Sequence, residues 1–425
     1  MKIAFIVGKF PILSETFIIN QITGAIERGH EVDIYAYQPS HSSKVHPNFH
    51  KYQLLSRTYY QPSIPTNRFW RLLKAIKLMI ENFKKAPLVL LRSLNIFKYG
   101  KRAASLKLLY SVIPLLKSPA YDIIHCQFGP QGLETMLWRD LGAIRGKLVT
   151  SFRGYDISSF IHKYGEDVYD ELFIKGDFFL ANCRFFQKKA IRLGCAPQKI
   201  VVHGSGIDCS RFQFKPRVAP QANAKIYLLT TARLVAKKGL EYSIRAVAQV
   251  AKMYPNLEYN IIGDGVLRQE LEQLITALNI RDKIQILGWK HQLEIVEFLD
   301  NSHIFLAPSI TSEDGNQDAP VNTLKEAMAM GLPVISTRHG GIPELVEDGI
   351  SGFLVPERDA NAIAKKLIYL LEHPEMWAKM GKAGRVFVET QYNINQLNDE
   401  LVQIYQQISN QNLQIADKSL AVTRM

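Results

Sequence analysis

Long hydrophobic runs are missing from this chain. One of the longest, residues 88–91, is cut by Arg92 and Lys98 well before the ~18 apolar residues a membrane span needs, so no transmembrane helix is expected. The first eight residues, Met1-Lys2-Ile3-Ala4-Phe5-Ile6-Val7-Gly8, stop at Lys9 without a small-residue cleavage pattern; they suit a first buried strand rather than a secretory signal. Cysteine is scarce as well. Cys126, Cys183, Cys195 and Cys209 are widely spaced with no C-x-x-C pair, which argues against a zinc site and a disulfide framework and suits a reducing cytoplasm. Acidic residues are almost absent from one segment: residues 66–118 hold twelve Lys or Arg against Glu81 alone, so most of the formal +13 charge sits there.

Within that segment Arg68, Arg71, Lys74 and Lys77 recur every third residue among Trp70, Leu72, Leu73, Ile76 and Met79, the pattern of a basic amphipathic helix. Such a helix suits an anionic membrane surface, which would place the chain on the inner face of the plasma membrane. A solvated face covering the core is the plainer alternative. No nucleic-acid-binding module accompanies the charge, so nucleic acid is not an expected partner.

What is present is the make-up of an ordinary folded protein, 425 residues with 47% hydrophobic and 21% charged content. That length exceeds what one core organises, so two or three domains are expected. Short apolar runs alternate with helix-like stretches throughout, the mark of parallel sheets with crossover helices. The runs are 2–7, 32–37, 122–127, 147–152, 178–181 and 200–203, then 226–231, 259–262, 284–287, 304–307, 333–336 and 352–355. Between the two sets lies a polar stretch with Pro216 and Pro220 and no periodicity. The expected division is an α/β domain over 1–212, a linker over 213–224, a second α/β domain over 225–385, a crossover helix over 386–410 and a tail over 411–425. Two such domains in series put a ligand crevice at the carboxyl ends of their strands.

The chemistry-bearing motifs cluster after the second-half strands. Ala232-Arg233-Leu234-Val235-Ala236-Lys237-Lys238-Gly239 can set cations on a diphosphate before a helix whose amides add donors. Gly263-Asp264-Gly265 lets a planar ligand approach the backbone. The stretch Gln317-Asp318-Ala319-Pro320-Val321-Asn322-Thr323-Leu324-Lys325-Glu326 passes from polar residues into a short helix ending near Gly331. Its amides from Val321 to Leu324 would be open to phosphate oxygens. Of Asp318 and Glu326, one can accept from a sugar hydroxyl and the other from a ribose diol, Asp318 having helix capping as its alternative.

These residues resemble the retaining family 4 glycosyltransferases, which have the GT-B fold. In that family an acidic residue, seven others and a Glu precede Ala-Met-Ala-x-Gly-x-Pro-Val-Ile, here Asp318 and Glu326. Gly340-Gly341-Ile342-Pro343-Glu344, Arg233 with Lys238-Gly239, and Gly206-Ile207-Asp208 match as well, and Phe10-Pro11-Ile12-Leu13-Ser14-Glu15-Thr16-Phe17-Ile18 resembles the exopolysaccharide subgroup. The resemblance implies two Rossmann-like domains facing a central cleft, with a C-terminal helix crossing back. It implies a nucleotide-sugar donor, UDP- or GDP-linked, a saccharide or lipid-linked acceptor, and no metal or other cofactor. Arg233 and Lys238 become diphosphate ligands, Glu326 the ribose ligand and Asp318 the residue facing the donor sugar. Gly263, Gly265 and residues Ala319 to Leu324 complete the donor side. Lys9, Phe10, Ser14, Glu15, Thr16 and Asp156 would line the acceptor side, where Ser14 as N-cap and Glu15 in the first turn also explain the pattern. His125, at the end of a first-half run, resembles a family position near the crevice, with a purely structural role as the alternative.

Two departures stand out. Asp318 occupies a position usually held by Glu, shortening the reach by one C–C bond, about 1.5 Å. Arg153, in Ser151-Phe152-Arg153-Gly154-Tyr155-Asp156, replaces the family's His and cannot serve as a base near neutral pH; it can still bind phosphate or orient a sugar. An epimerase or phosphorylase of the same architecture, or an inactive membrane-docked component of a polysaccharide assembly complex, are the competing readings.

Overall fold

A computed structural model describes residues 1–12, 15–40, 47–221 and 224–410. Thirteen strands form two all-parallel sheets. The first contains β1 (Lys2–Phe10), β2 (Glu31–Pro39), β3 (Thr58–Tyr60), β4 (Ala120–Cys126), β5 (Arg145–Phe152), β6 (Phe178–Ala181) and β7 (Ile200–Val202), in the order β3-β2-β1-β4-β5-β6-β7. The second contains β8 (Ile226–Thr231), β9 (Leu257–Ile262), β10 (Ile284–Gly288), β11 (Ile304–Ala307), β12 (Val334–Thr337) and β13 (Gly352–Val355), in the order β10-β9-β8-β11-β12-β13.

Both sheets are covered on both faces, which is why their strands are continuous apolar runs rather than alternating ones. Ile3 to Val7 of β1 are all fully buried. Each sheet reverses direction once: strand order runs outward from β1 to β3 and then restarts at β4 beside β1, and likewise from β8 to β10 before β11 returns beside β8. Loops at such a reversal diverge and leave a crevice at the carboxyl ends of the strands. The loops after β1, β4 and β5 therefore meet those after β8, β9 and β11.

The strand β3 was not expected. It has three residues at a sheet edge, none of them fully buried, too short and too exposed for an apolar signature. The polar stretch after Phe212 is anchored rather than loose: Arg217 is buried and its Nη2 donates to Met330 O at 2.9 Å, and its Nη1 to Asp300 O.

The chain ends by crossing back. The helix Glu375–Gln391 packs on the second domain, and a new helix, Ile394–Ser409, starts where the Asn393 side chain accepts from the Asn395 and Gln396 amides. Leu401, Ile404, Tyr405 and Ile408 enter the core of the first domain. Arg28 Nε donates to Asp399 Oδ1 at 2.7 Å and His203 Nε2 bonds Leu397 O at 2.8 Å, fixing the returning helix to that domain.

Candidate active site in the interdomain cleft

A cleft of about 1520 Å³ lies between the domains. Its second-domain wall is built from three post-strand loops. After β8 the chain carries Arg233, Lys237 and Lys238; after β9 it turns at Gly263; after β11 it runs through Asn316 and Asp318 into the helix Asn322–Ala329. Gly263 has φ +138°, and a Cβ there would sit 1.8 Å from Ala232 O, so only glycine lets the β9 turn close on the Arg233 loop.

Asp318 is the most constrained group on this wall. Lys237 Nζ lies 2.9 Å from its Oδ1 and Lys238 Nζ 2.8 Å from its Oδ2, while Ser309 Oγ donates to Oδ2 at 3.0 Å. Burial alone would raise its pKa; the two ammoniums reverse this and hold it well below the usual carboxylate range. Its backbone is fixed too. Asp318 N donates to His339 Nε2 at 3.0 Å, the opposite ring nitrogen faces Glu357 at 2.8 Å, and Gly341 N donates to Asp318 O at 3.0 Å. Gly340, at φ +50°, is needed because a Cβ would fall 2.2 Å from Asp318 O. Asp318 does not cap the following helix. Its side chain is spent on two lysines, of which Lys237 had not been expected in the site.

The helix Asn322–Ala329 begins with Val321 in extended conformation and has no side-chain cap, so its first amides point unsatisfied toward the cleft end. Val321, Asn322, Thr323 and Glu326 line the cleft together with Ala319 and Pro320. Burial pushes the Glu326 carboxyl up to about 7, with Lys325 acting in the opposite direction. Lys325 points away, fully buried: its Nζ donates to Ser205 O at 2.7 Å and to Asn322 Oδ1 at 3.1 Å, and sits 4.3 Å from the Tyr392 ring centroid. Leu324 is core, and Gly265 packs against Leu234 O outside the cleft lining.

The first-domain wall comes from Glu15, Thr16 and Phe17, from Phe128, and from Arg153, Gly154 and Tyr155. Ser14 lies outside the described residues. Glu15 occupies the position before the helix Thr16–Glu27 rather than its first turn, and its side chain makes no capping bond. Burial lifts its carboxyl to about 7, against the opposing pull of Arg153 and, from the other domain, Arg233.

Arg153 is largely consumed at the cleft floor. Its Nε donates to Gln127 O at 3.1 Å, its Nη2 to Gln127 Oε1 at 2.7 Å and Gln21 Oε1 at 2.9 Å, and the guanidinium stacks 4.5 Å from the Phe17 ring. Asp156 is buried off the cleft, its carboxylate accepting from the Gly129, Arg153 and Gly154 amides at 2.9–3.0 Å; it shapes the turn that carries Arg153. His125 does not reach the cleft either. It is fully buried between Tyr405 Oη at 2.6 Å and Ser151 Oγ at 2.7 Å, and burial keeps it neutral, its pKa well below the ordinary value. Of the two roles open to His125, crevice and structural, the structure shows the structural one, joining the returning helix to the first sheet. Phe10 is core, and Lys9 is exposed away from the cleft lining.

Two family models divide this architecture between them: one described as Glycosyltransferase Family 4 matches residues 14–211, and one described as Glycosyl transferases group 1 matches residues 212–387. The chain is 36% identical over 411 residues to the putative colanic acid biosynthesis glycosyltransferase WcaL of Escherichia coli, covering 96% of this chain and 100% of that one. It belongs to the family 4 glycosyltransferases. The amylovoran biosynthesis glycosyltransferase AmsK of Erwinia amylovora is 35% identical over 413 residues, again across 96% of this chain and 100% of that one. Among solved structures, Anabaena HepE in complex with UDP superposes with a TM-score of 0.68 at 16% identity, over 96% of this chain and 100% of that one, and carries the same GT-B fold.

The transferase cleft also contains residues that sequence reasoning passed over. Lys237 lies in the loop after β8 with nothing in the sequence to distinguish it from Lys238. Trp289, exposed at the cleft, directly follows β10. Asn182 comes from a loop with no motif and Ser205 directly precedes Gly206-Ile207-Asp208; Ser205 Oγ donates to Asn182 Oδ1 at 3.2 Å and accepts from Arg153 Nη1 at 3.4 Å, so with Lys325 on Ser205 O it links the two walls. Among the described residues no cluster of three His, Cys, Asp or Glu is placed to hold a metal ion.

Proposed function

We propose that this glycosyltransferase is a retaining, metal-independent hexosyltransferase that moves a sugar from a nucleoside-diphosphate sugar to a saccharide or lipid-linked saccharide during exopolysaccharide assembly in the cytoplasm. The observation that carries the reading is the second-domain wall, where Arg233, two lysines sharing one carboxylate, and an uncapped helix N-terminus converge beside the recessed Glu326. Lys237 and Lys238 together hold one charge more than Asp318 neutralises, and Arg233 adds another. A diphosphate leaving group developing negative charge there meets fixed cations and amide dipoles that need no reorganisation.

Glu326 takes the ribose diol, its ionised carboxylate accepting two hydroxyl hydrogens; Asp318, held rigid, presents the sugar-facing edge. Because both Asp318 oxygens are occupied by ammonium groups, it is a poor nucleophile. Same-face attack, with the departing phosphate oxygen taking the acceptor proton, suits this geometry better than a covalent intermediate on Asp318. Glu15, Thr16 and Tyr155 on the opposite wall receive the acceptor. The family names of WcaL and AmsK support polysaccharide synthesis, and HepE, solved with UDP and with UDP and glucose, makes UDP-glucose the first donor to try. All four cysteines are unpaired and buried, as suits a reducing compartment.

Calorimetric titration with UDP and GDP, followed by transfer assays on a panel of their sugars, tests this. Binding of one nucleotide without added metal, weakened by Arg233→Ala, is the expected result; no nucleotide binding, or binding indifferent to Arg233, would refute it.

A further inference from the structure

The helix Arg68–Asn82 is amphipathic in the opposite sense to the one its basic spacing suggests. Arg71 Nε donates to Pro65 O at 2.9 Å and Lys74 Nζ to Ser63 O at 2.7 Å, so two of its cations are turned back onto the preceding loop. With Ala75, Leu78, Met79 and Asn82 they form the covered face, packed on Leu90, Leu109 and Tyr110. The outward face is apolar. Phe69, Leu73, Ile76, Ile80 and Phe83 follow one another at steps of four and three, a single helical stripe, and all are exposed, Ile80 by 73%. The next two helices extend it: Leu88 and Leu91 on Pro87–Ser93, and Ile96 with a fully exposed Phe97 on Ile96–Ala104, are uncovered as well. Large side chains left bare in this density mark an interaction surface.

Charge selects the partner. Of the twelve cations in this segment, among the described residues Lys77 alone is in an ion pair, 3.8 Å from Glu81; Lys84, Lys85, Arg92, Lys98, Lys101 and Arg102 are exposed beside the apolar stripe. A second copy of the chain would bring the same positive field against itself. A bilayer with anionic headgroups offers negative charge and hydrocarbon in the same few ångströms of depth, matching both halves of the patch. Among the described residues no helix is long and apolar enough to cross a membrane, so the contact is superficial.

We propose that residues 68–104 dock the first domain on an anionic lipid surface, with Phe69, Ile76, Ile80 and Phe97 entering the headgroup–acyl boundary and the surrounding lysines and arginines holding the headgroups. The inference goes beyond donor chemistry: it concerns the domain that receives the acceptor, and it does not depend on which nucleotide is bound.

The experiment is co-sedimentation of the full chain with phosphatidylglycerol-containing or pure phosphatidylcholine vesicles at rising salt. The wild type is expected to partition about tenfold or more better onto the anionic vesicles, with the preference shrinking as salt screens it. Ile76→Ser/Ile80→Ser/Phe97→Ser should weaken anionic binding about tenfold, and Lys84→Glu/Lys85→Glu/Lys98→Glu should remove the lipid preference. Nucleotide titration of the same variants verifies folding and reads the donor site separately. Equal partitioning onto both vesicles, wild-type binding by the serine variant, or a dimer in solution that the serine variant dissolves would each overturn the proposal.

Discussion

Glu15 and Glu326 stand on opposite walls of one cleft, and burial raises both carboxyls to about 7, yet their surroundings differ. Around Glu326 the second domain keeps its binding groups available: uncapped amides, Arg233, and lysines whose joint charge exceeds their partner's. Around Glu15 the first domain uses its polar groups on itself. Arg153 is clamped by Gln21 and Gln127, Asp156 by three amides, and His125 by Tyr405 and Ser151. The same Rossmann-like plan thus serves once as an open charged socket and once as a shaped wall whose cation, Arg153, is tied down by neutral side chains. Charge left free suits the departure of a diphosphate, whereas polar groups tied to one another make the opposite wall a rigid surface.

Substitutions on either wall test that contrast. Glu326→Ala should cost most, lowering nucleotide affinity about 100-fold, ~2.7 kcal/mol, as two hydrogen bonds to a charged group are lost; titration calorimetry reads it directly. His125→Ala should act elsewhere: unfolding free energy falls by about 2 kcal/mol as the Tyr405 and Ser151 bonds go, while nucleotide affinity stays within about twofold, and denaturant melts paired with titrations separate the two. A large loss of nucleotide affinity there would break the contrast. Arg233→Ala comes next, about tenfold in affinity and most visible at low salt, because its guanidinium is exposed and screened. Asp318→Glu should be smallest, shifting kcat/KM between donor sugars by a few-fold with little change for the free nucleotide, since the added methylene moves a carboxylate still held by Lys237 and Lys238.

Much of this was legible in the residues. The strands Phe178–Ala181, Ile226–Thr231, Ile304–Ala307 and Gly352–Val355 carry the boundaries their apolar runs suggest, because doubly covered parallel strands leave uninterrupted signatures. The second-domain wall was legible for a related reason: its groups lie on consecutive post-strand loops, so local motifs name them. The first-domain wall depends on pairings 26 to 280 residues apart, such as Arg153 with Gln127 and His125 with Tyr405, and no local pattern encodes those. Which face of the basic helix is outward was not legible for a different reason. Its cations and its apolar residues each form a stripe, and only the packing on Leu90, Leu109 and Tyr110 decides which one faces out. Lys237 was hidden by its neighbour: adjacent lysines look redundant until one aspartate is found between them.

The central claim, that the second domain holds the nucleotide through the Glu326 carboxylate, is tested most directly by nucleotide affinity between pH 6 and 8, on the order of one unit either side of the raised pKa. The ionised form accepts the ribose hydroxyls, so wild-type affinity should fall as pH drops through about 7 and Glu326 takes up its proton. Glu326→Gln should bind weakly at every pH with that slope flattened, while Glu15→Gln keeps both the affinity and the slope. A flat wild-type profile, or a slope abolished by Glu15→Gln and retained by Glu326→Gln, would contradict the account.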